Sequence, residues 1–255
     1  MLLRRITKHV TEQNWFAVFI DFIIVVVGVF IGIQVANWNE ARVEAEREQE
    51  VLIAILDDLK LDLTMLESAS AMAKINIDTS NYMLEQAGFI PLDKISIPVV
   101  NSSLIGQELL LSPHELIPED RKNQLWKLVS VHFYPIQSNT AFSSLIAAGD
   151  LKIISNQDLI SNLQSYTQHW NSLRDSNVTT YKKFRDRTIF VGQEFGLSPF
   201  IKIPEKDLIG MIQDNPKLKA VLRTLLEYTV LHKAQFEQTS NQTLKLIDKV
   251  EKEIR

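Results

Sequence analysis

Five histidines, His9, His114, His132, His169 and His232, are the side chains whose ordinary pKa lies nearest neutrality. No two of them stand three or four positions apart, so no helix offers a local pair of metal ligands. The chain has no cysteine, which removes thiolate metal sites, disulfides and a thiol nucleophile. It also has no Gly-rich phosphate loop, no GxSxG and no HExxH. His114 with Glu115, Glu119 and Asp120 is the one acidic cluster around a histidine, and it reads as solvated loop charge rather than a cation site. Asp57, Asp58 and Asp62 read as the wet face of a helix, and Tyr166, Trp170 and Tyr181 as core rather than the lining of a cleft. No catalytic, cofactor-binding or metal-binding residue is assigned, and the expectation is that the protein is not an enzyme.

The chemistry that the spacing does support is association inside a membrane. Gly28 and Gly32 form a GxxxG pair, and Ala36 continues it at the same interval. Small residues four apart let two helix backbones approach closely where lipid gives no hydrophobic drive. Asp21, seven residues before Gly28, projects from nearly the same face, and an ionisable group at that depth faces protein more often than lipid. These four residues are the candidate association seam. Trp15, Asn37, Trp38, Asn39 and Glu40 form a second set, an interface tag in which the indoles anchor at the headgroups. Its amides and carboxylate bond headgroups or a partner, with a plain stop-transfer boundary as the alternative.

The element that must position both sets is Phe16 to Ile33, followed at once by the tag. Its length matches the roughly 20 residues a helix needs to cross a bilayer core. Fourteen Phe, Ile and Val residues in it, at roughly −0.3 to −0.6 kcal/mol each, outweigh one Asp at about +2.5 to +3.5 kcal/mol. Trp15 and Trp38 fall about 35 Å apart at 1.5 Å per residue, which places them at opposite interfaces. Arg4, Arg5 and Lys8 precede the span and mixed charge follows it, so the positive-inside rule sets residues 1–14 in the cytoplasm and residues 39–255 across the membrane. A cleaved signal peptide is the competing reading, but Gln34 two before Ala36 is a poor cleavage context, so an uncleaved span over residues 15–38 is expected.

Beyond the span the pattern is helical. No glycine or proline interrupts the chain from Asn37 to Ala87. Leu52, Leu56, Leu59, Leu63, Leu66, Ser70, Ala73, Ile77, Ser80 and Leu84 step by four and three, a seam on a helix of about 50 residues whose first turns, Glu40 to Glu50, form a solvated stalk. Residues 89–117, broken by four prolines with Pro118, form a crossing connection with room for one short strand pair near 92–100. Within it, Ser112 to Glu115 has the look of a capped helical turn. A short helix over Thr140–Ala148 ends at Gly149, and Ser155 to Asp158 resembles a capping box that opens a long helix. The last helix starts at Pro216, and its stripe turns polar at Thr229, His232, Thr239 and Thr243, which predicts a wet face; a polar pocket is the alternative. The economical fold is all-α: a transmembrane helix continuing into a stalk and an antiparallel helical bundle.

The run VVVGVFIGIQVANWNEAR, from Val25 to Arg42, resembles the signature of a family of uncharacterised bacterial proteins with one N-terminal span ending in an Asn-Trp-Asn-Glu tag. The stretch from Ala141 to Leu159 is similar to that family's second recurrent segment. Members usually carry another Asn where this chain has Ala36. The resemblance implies a bacterial single-span membrane protein and carries no activity with it.

Net charge is −4; the first 36 residues hold three basic against two acidic groups, which leaves −5 on the rest. A mildly acidic domain without a basic block argues against nucleic acid. The expected partners are the lipid bilayer and, through the span, a second copy or another membrane protein. The expected protein is thus anchored in the bacterial inner membrane with a periplasmic helical domain, acting as an interaction or scaffold protein. The alternative is a ligand-sensing module that relays through a partner.

Overall fold

The structure, a computed structural model, describes residues 15–96 and 108–254. The tail of residues 1–14, the proposed strand residues 97–100 and the side chains of Trp15 and Asp21 lie outside the described residues. The fold is all-α, with one two-stranded sheet among the described residues. The first helix, α1 (Trp15–Gln86), runs unbroken for 72 residues and passes the boundary between two compact units at Val51 and Leu52.

In the first unit, α1 carries its apolar residues bare. Phe19, Phe22, Ile24, Val25, Phe30, Ile31 and Val35 are all exposed. The helix is long and apolar enough here to cross a membrane. Arg42 and Glu46 pair one turn apart on the charged segment that follows, which is exposed almost throughout.

The second unit is built on three long rods. One is α1 from Leu52 onward. Another is α4 (Gln157–Ser176), continued by a π turn (Asn177–Tyr181) into α5 (Lys182–Glu194). The third is α7 (Pro216–Ile254), antiparallel to α4, since Asn156 meets Glu253 and Asn162 meets Lys249. Short elements close the bundle: α2 (Leu125–Ser130), α3 (Thr140–Ala148), α6 (Glu205–Asp214), and the antiparallel strands β1 (Lys94–Ser96) and β2 (Glu108–Leu110), paired through Ile95 and Leu109. The second strand falls later than the expected 92–100. Gly149 ends α3 at φ 72°, a left-handed turn that takes two α3 carbonyls. Asn156, not Ser155, caps α4 by accepting from the Leu159 N–H.

The expected seam of α1 is buried at Leu52, Leu56, Leu59, Leu66, Ala73, Ile77, Ser80 and Leu84, while Leu63 and Ser70 are only partly covered. The buried face is wider than that seam and also takes in Ile55, Asp62, Ala69, Asn76 and Met83. Ser112 to Glu115 forms no helical turn: His114 is drawn to Glu85 and Glu115 to Lys74, both on α1. An apolar cluster of Met83, Leu84, Leu125, Trp126, Val191, Leu208, Ile212 and Leu218 fills one part of the bundle.

Candidate functional site

The proposed span seam stands open in the single chain. A Cβ built on Gly28 or Gly32 meets nothing within 4 Å, and Ala36, Asn37, Asn39 and Glu40 are exposed. Trp38 is 69 % exposed. The helix therefore presents Gly28, Gly32 and Ala36 along one uncovered face.

The concentration of polar chemistry lies elsewhere, inside the second unit. Thr229, His232, Thr239 and Thr243, expected on a wet face of α7, are all buried. So is Asp62, at 0 % exposure, while its neighbour Asp58 is half-covered; of Asp57, Asp58 and Asp62 only Asp57 lies in water as expected. The reason is geometric: the stripe of α7 keeps its spacing of four and three throughout, so its polar members stay in line with the leucines and enter the interior with them.

Asp62 accepts the backbone N–H of Ser138 through one oxygen and lies 2.9 Å from the Tyr166 hydroxyl through the other. Tyr166 is also 2.9 Å from Thr243 Oγ1, and Thr243 donates to the Thr239 carbonyl on its own helix. Tyr166 donates its hydrogen to Asp62, and the Thr243 hydroxyl, within reach of both the Tyr166 oxygen and the Thr239 carbonyl, continues the chain from Asp62 through Tyr166 and Thr243 to Thr239. Burial raises the Asp62 pKa to about 7, reinforced by the charge of Asp58 and opposed by the bonds from Ser138 and Tyr166. Asp58 meanwhile accepts the Ala141 N–H at 2.9 Å and the Ser138 hydroxyl at 2.7 Å, which caps the start of α3 from another helix.

A second polar knot centres on Tyr181 in the π turn. Its ring stacks on His232 at 4.6 Å and 7°, and its hydroxyl lies 2.6 Å from His132 Nδ1. His232 is 4 % exposed and its Nε2 has no hydrogen-bond partner among the described residues. Burial lowers its pKa to about 4, so it is neutral in the fold. Asn177 and Tyr181, four positions apart across the π turn, both lie inward. Tyr166, Trp170 and Tyr181 are thus buried, as the helical spacing predicts.

The sequence profile of a family of unknown function, DUF6090, matches residues 21–97. The chain resembles that family over this stretch. No curated protein and no solved structure matches it. The matched residues take in Asp21, Gly28, Gly32, Ala36 and Asn37 to Glu40 of the tag, without Trp15, and also Asp58 and Asp62 on the part of α1 beyond Val51.

Between α4 and α7 runs a groove of about 290 Å³. Tyr166 closes its floor, and Asn162, His169, Gln242, Lys245 and Lys249 stand around it. His169 Nε2 lies 3.0 Å from Thr239 Oγ1, whose own hydrogen goes to the Gln235 carbonyl, so Nε2 carries the ring proton and donates. Sequence reasoning missed both the groove and the buried acid. The signal available was the constant spacing of the α7 stripe, which gives its threonines and histidine no route to the surface.

Proposed function

We propose that the chain is a single-pass protein of the bacterial inner membrane whose helical domain lies in the periplasm and works as a non-catalytic interaction module. The observation that carries this reading is the bare apolar face of α1 from Phe19 to Val35, which water would not tolerate and lipid or a partner helix would cover. The open Gly28, Gly32 and Ala36 face supports self-association or pairing with another membrane protein, with Asp21 at the seam and the Asn37 to Glu40 tag at the outer interface. Because the chain lacks cysteine, single-cysteine variants test the topology directly. Glu44→Cys in intact cells is expected to react with a membrane-impermeant maleimide, and Thr7→Cys only after the membrane is opened. Labelling in the reverse order, or recovery of the protein in the soluble fraction, overturns the reading. Gly28→Leu with Gly32→Leu is expected to abolish the crosslinked oligomer.

A second reading is a ligand-sensing module that relays through a partner. It is favoured by the polar groove between α4 and α7 and the buried hydrogen-bond chain beneath it, since an interaction surface alone requires neither.

A further inference from the structure

The lysines of α7 divide into two groups. Lys217 pairs with Glu194, Lys233 with Glu237 and Lys252 with Asp248, and Lys219 sits 3.5 Å from the centre of the Phe89 ring. Lys249 reaches only the neutral side chain of Asn162, at 3.0 Å. Lys245 has no hydrogen bond or ion pair with any described residue. Of the three without a carboxylate, Lys219 is spent on the Phe89 ring, and the other two, Lys245 and Lys249, stand in the α4–α7 groove. In a chain of net charge −4, whose other α7 ammonium groups are nearly all neutralised locally, the groove is a cationic spot.

The remaining lining matches that charge. Among the described residues no acidic one borders the groove. Asn162 and Gln242 offer amide donors. The His169 ring is held inward at Thr239 through Nε2, and burial lowers its pKa, so the anion-facing charge comes from the lysines. The two ammonium groups are one helical turn apart, about 5–6 Å between Cβ atoms, a separation that two anionic oxygens of one small molecule span. The volume sits at the lower edge of the range for small-molecule sites.

We infer that the groove between α4 and α7 binds a small dianion, a dicarboxylate or a phosphate, held by Lys245 and Lys249 with amide hydrogen bonds from Asn162 and Gln242. This inference rests on the ligand-sensing reading and names its ligand class. Binding above Tyr166 would couple the ligand to the hydrogen-bond chain that ends at Asp62 on α1.

The test uses the full chain in neutral detergent, with succinate and inorganic phosphate as dianion probes, glycerol and putrescine as neutral and cationic probes, and ionic strength matched with KCl. Calorimetric titration and the thermal midpoint are the two readouts. Saturable binding of succinate or phosphate is expected, weakened about tenfold or more by Lys245→Gln or Lys249→Gln and unchanged by Lys206→Gln, an exposed lysine on α6. A response to phosphatidylglycerol added to the micelle, with the same dependence on Lys245 and Lys249, would assign the anionic oxygens to a lipid head. Equal responses in all three variants would reduce the effect to bulk charge and overturn the site. Binding of glycerol or putrescine instead of the dianions would overturn the ligand class while leaving a sensing role in place. No binding by any probe would remove both.

Discussion

Tyr166 of α4 and Asp62 of α1 meet at 2.9 Å in the interior, and the contact places an ionisable acid where neither helix exposes it. Its consequence is a stability that falls with rising pH. The folded acid titrates near 7 and the unfolded one near 3.9, so between those values the fold keeps a proton that the unfolded chain has released. The contribution is fully present below the unfolded pKa and is lost as pH rises through the folded one, at about 1.4 kcal/mol per unit. Asp62→Asn keeps the acceptor for Ser138 and cannot ionise. Its stability relative to the natural chain, from urea unfolding, is expected to climb by roughly 2–4 kcal/mol from pH 4 to pH 7.5. A difference that stays flat over that range would mean the acid is solvated.

His232 works in the opposite sense. Burial lowers its folded pKa to about 4 against about 6.5 unfolded, so its contribution is present above the unfolded value and is lost as pH falls through the folded one. His232→Phe preserves the stack on Tyr181 and the edge contact with Phe236 while removing the unpartnered Nε2. The variant's advantage over the natural chain is expected to grow by roughly 2–3 kcal/mol between pH 7.5 and pH 4. Equal pH profiles would show that the ring takes up its proton in the fold without strain. Comparing each variant with the natural chain separates the two groups, whose effects oppose each other between pH 4 and 6.5.

The elements were legible in the sequence because their stops are local. Gly149 ends α3, Pro216 opens α7, and the absence of any breaker lets α1 run to Gln86. The bundle followed from stripes at four and three. The full width of the buried face of α1 did not, because beside the expected Leu52, Leu56 and Leu59 it takes in Ile55 and, ahead of the half-covered Leu63, Asp62. Reading by hydrophobicity favours the leucines over an aspartate. The aspartate wins its place through Tyr166 and Ser138, residues about 75 to 105 positions away whose partnership no local pattern displays. The groove was invisible for the same reason, since its lysines look like any exposed pair until the carboxylates elsewhere on α7 are matched to their neighbours.

Gly192 alone among the described glycines has no room for a side chain. A Cβ there would lie 2.2 Å from Cζ2 of Trp126, and that ring is 1 % exposed, with nowhere to retreat. Gly192→Ala is expected to cost about 1–3 kcal/mol through overpacking, although alanine is the better helix former. Gly210→Ala on α6, where a Cβ meets nothing within 4 Å, supplies the contrast and is expected to be neutral or stabilising by up to about 1 kcal/mol. Equal effects of the two substitutions in denaturant unfolding would show that the Trp126 contact relaxes freely.

Asn81 ties α1 to the connection that follows it. Its amide donates to the Leu92 carbonyl at 3.0 Å and its oxygen accepts the Leu92 N–H at 2.8 Å, so one buried side chain satisfies both backbone groups of a residue outside any helix or strand. Asn81→Ala strands both groups, and their desolvation is expected to cost roughly 2–4 kcal/mol in all. Asn81→Asp retains the acceptor but sets a carboxylate against the Leu92 carbonyl, and it is expected to be the worse of the two at pH 7.5. The gap between them should narrow as pH falls toward 4, where the acid regains a proton to donate. Hydrogen exchange at the Leu92 amide reports on the clamp directly: strong protection in the natural chain, lost in Asn81→Ala. Protection that survives the alanine substitution would show that Leu92 is held by its apolar packing alone.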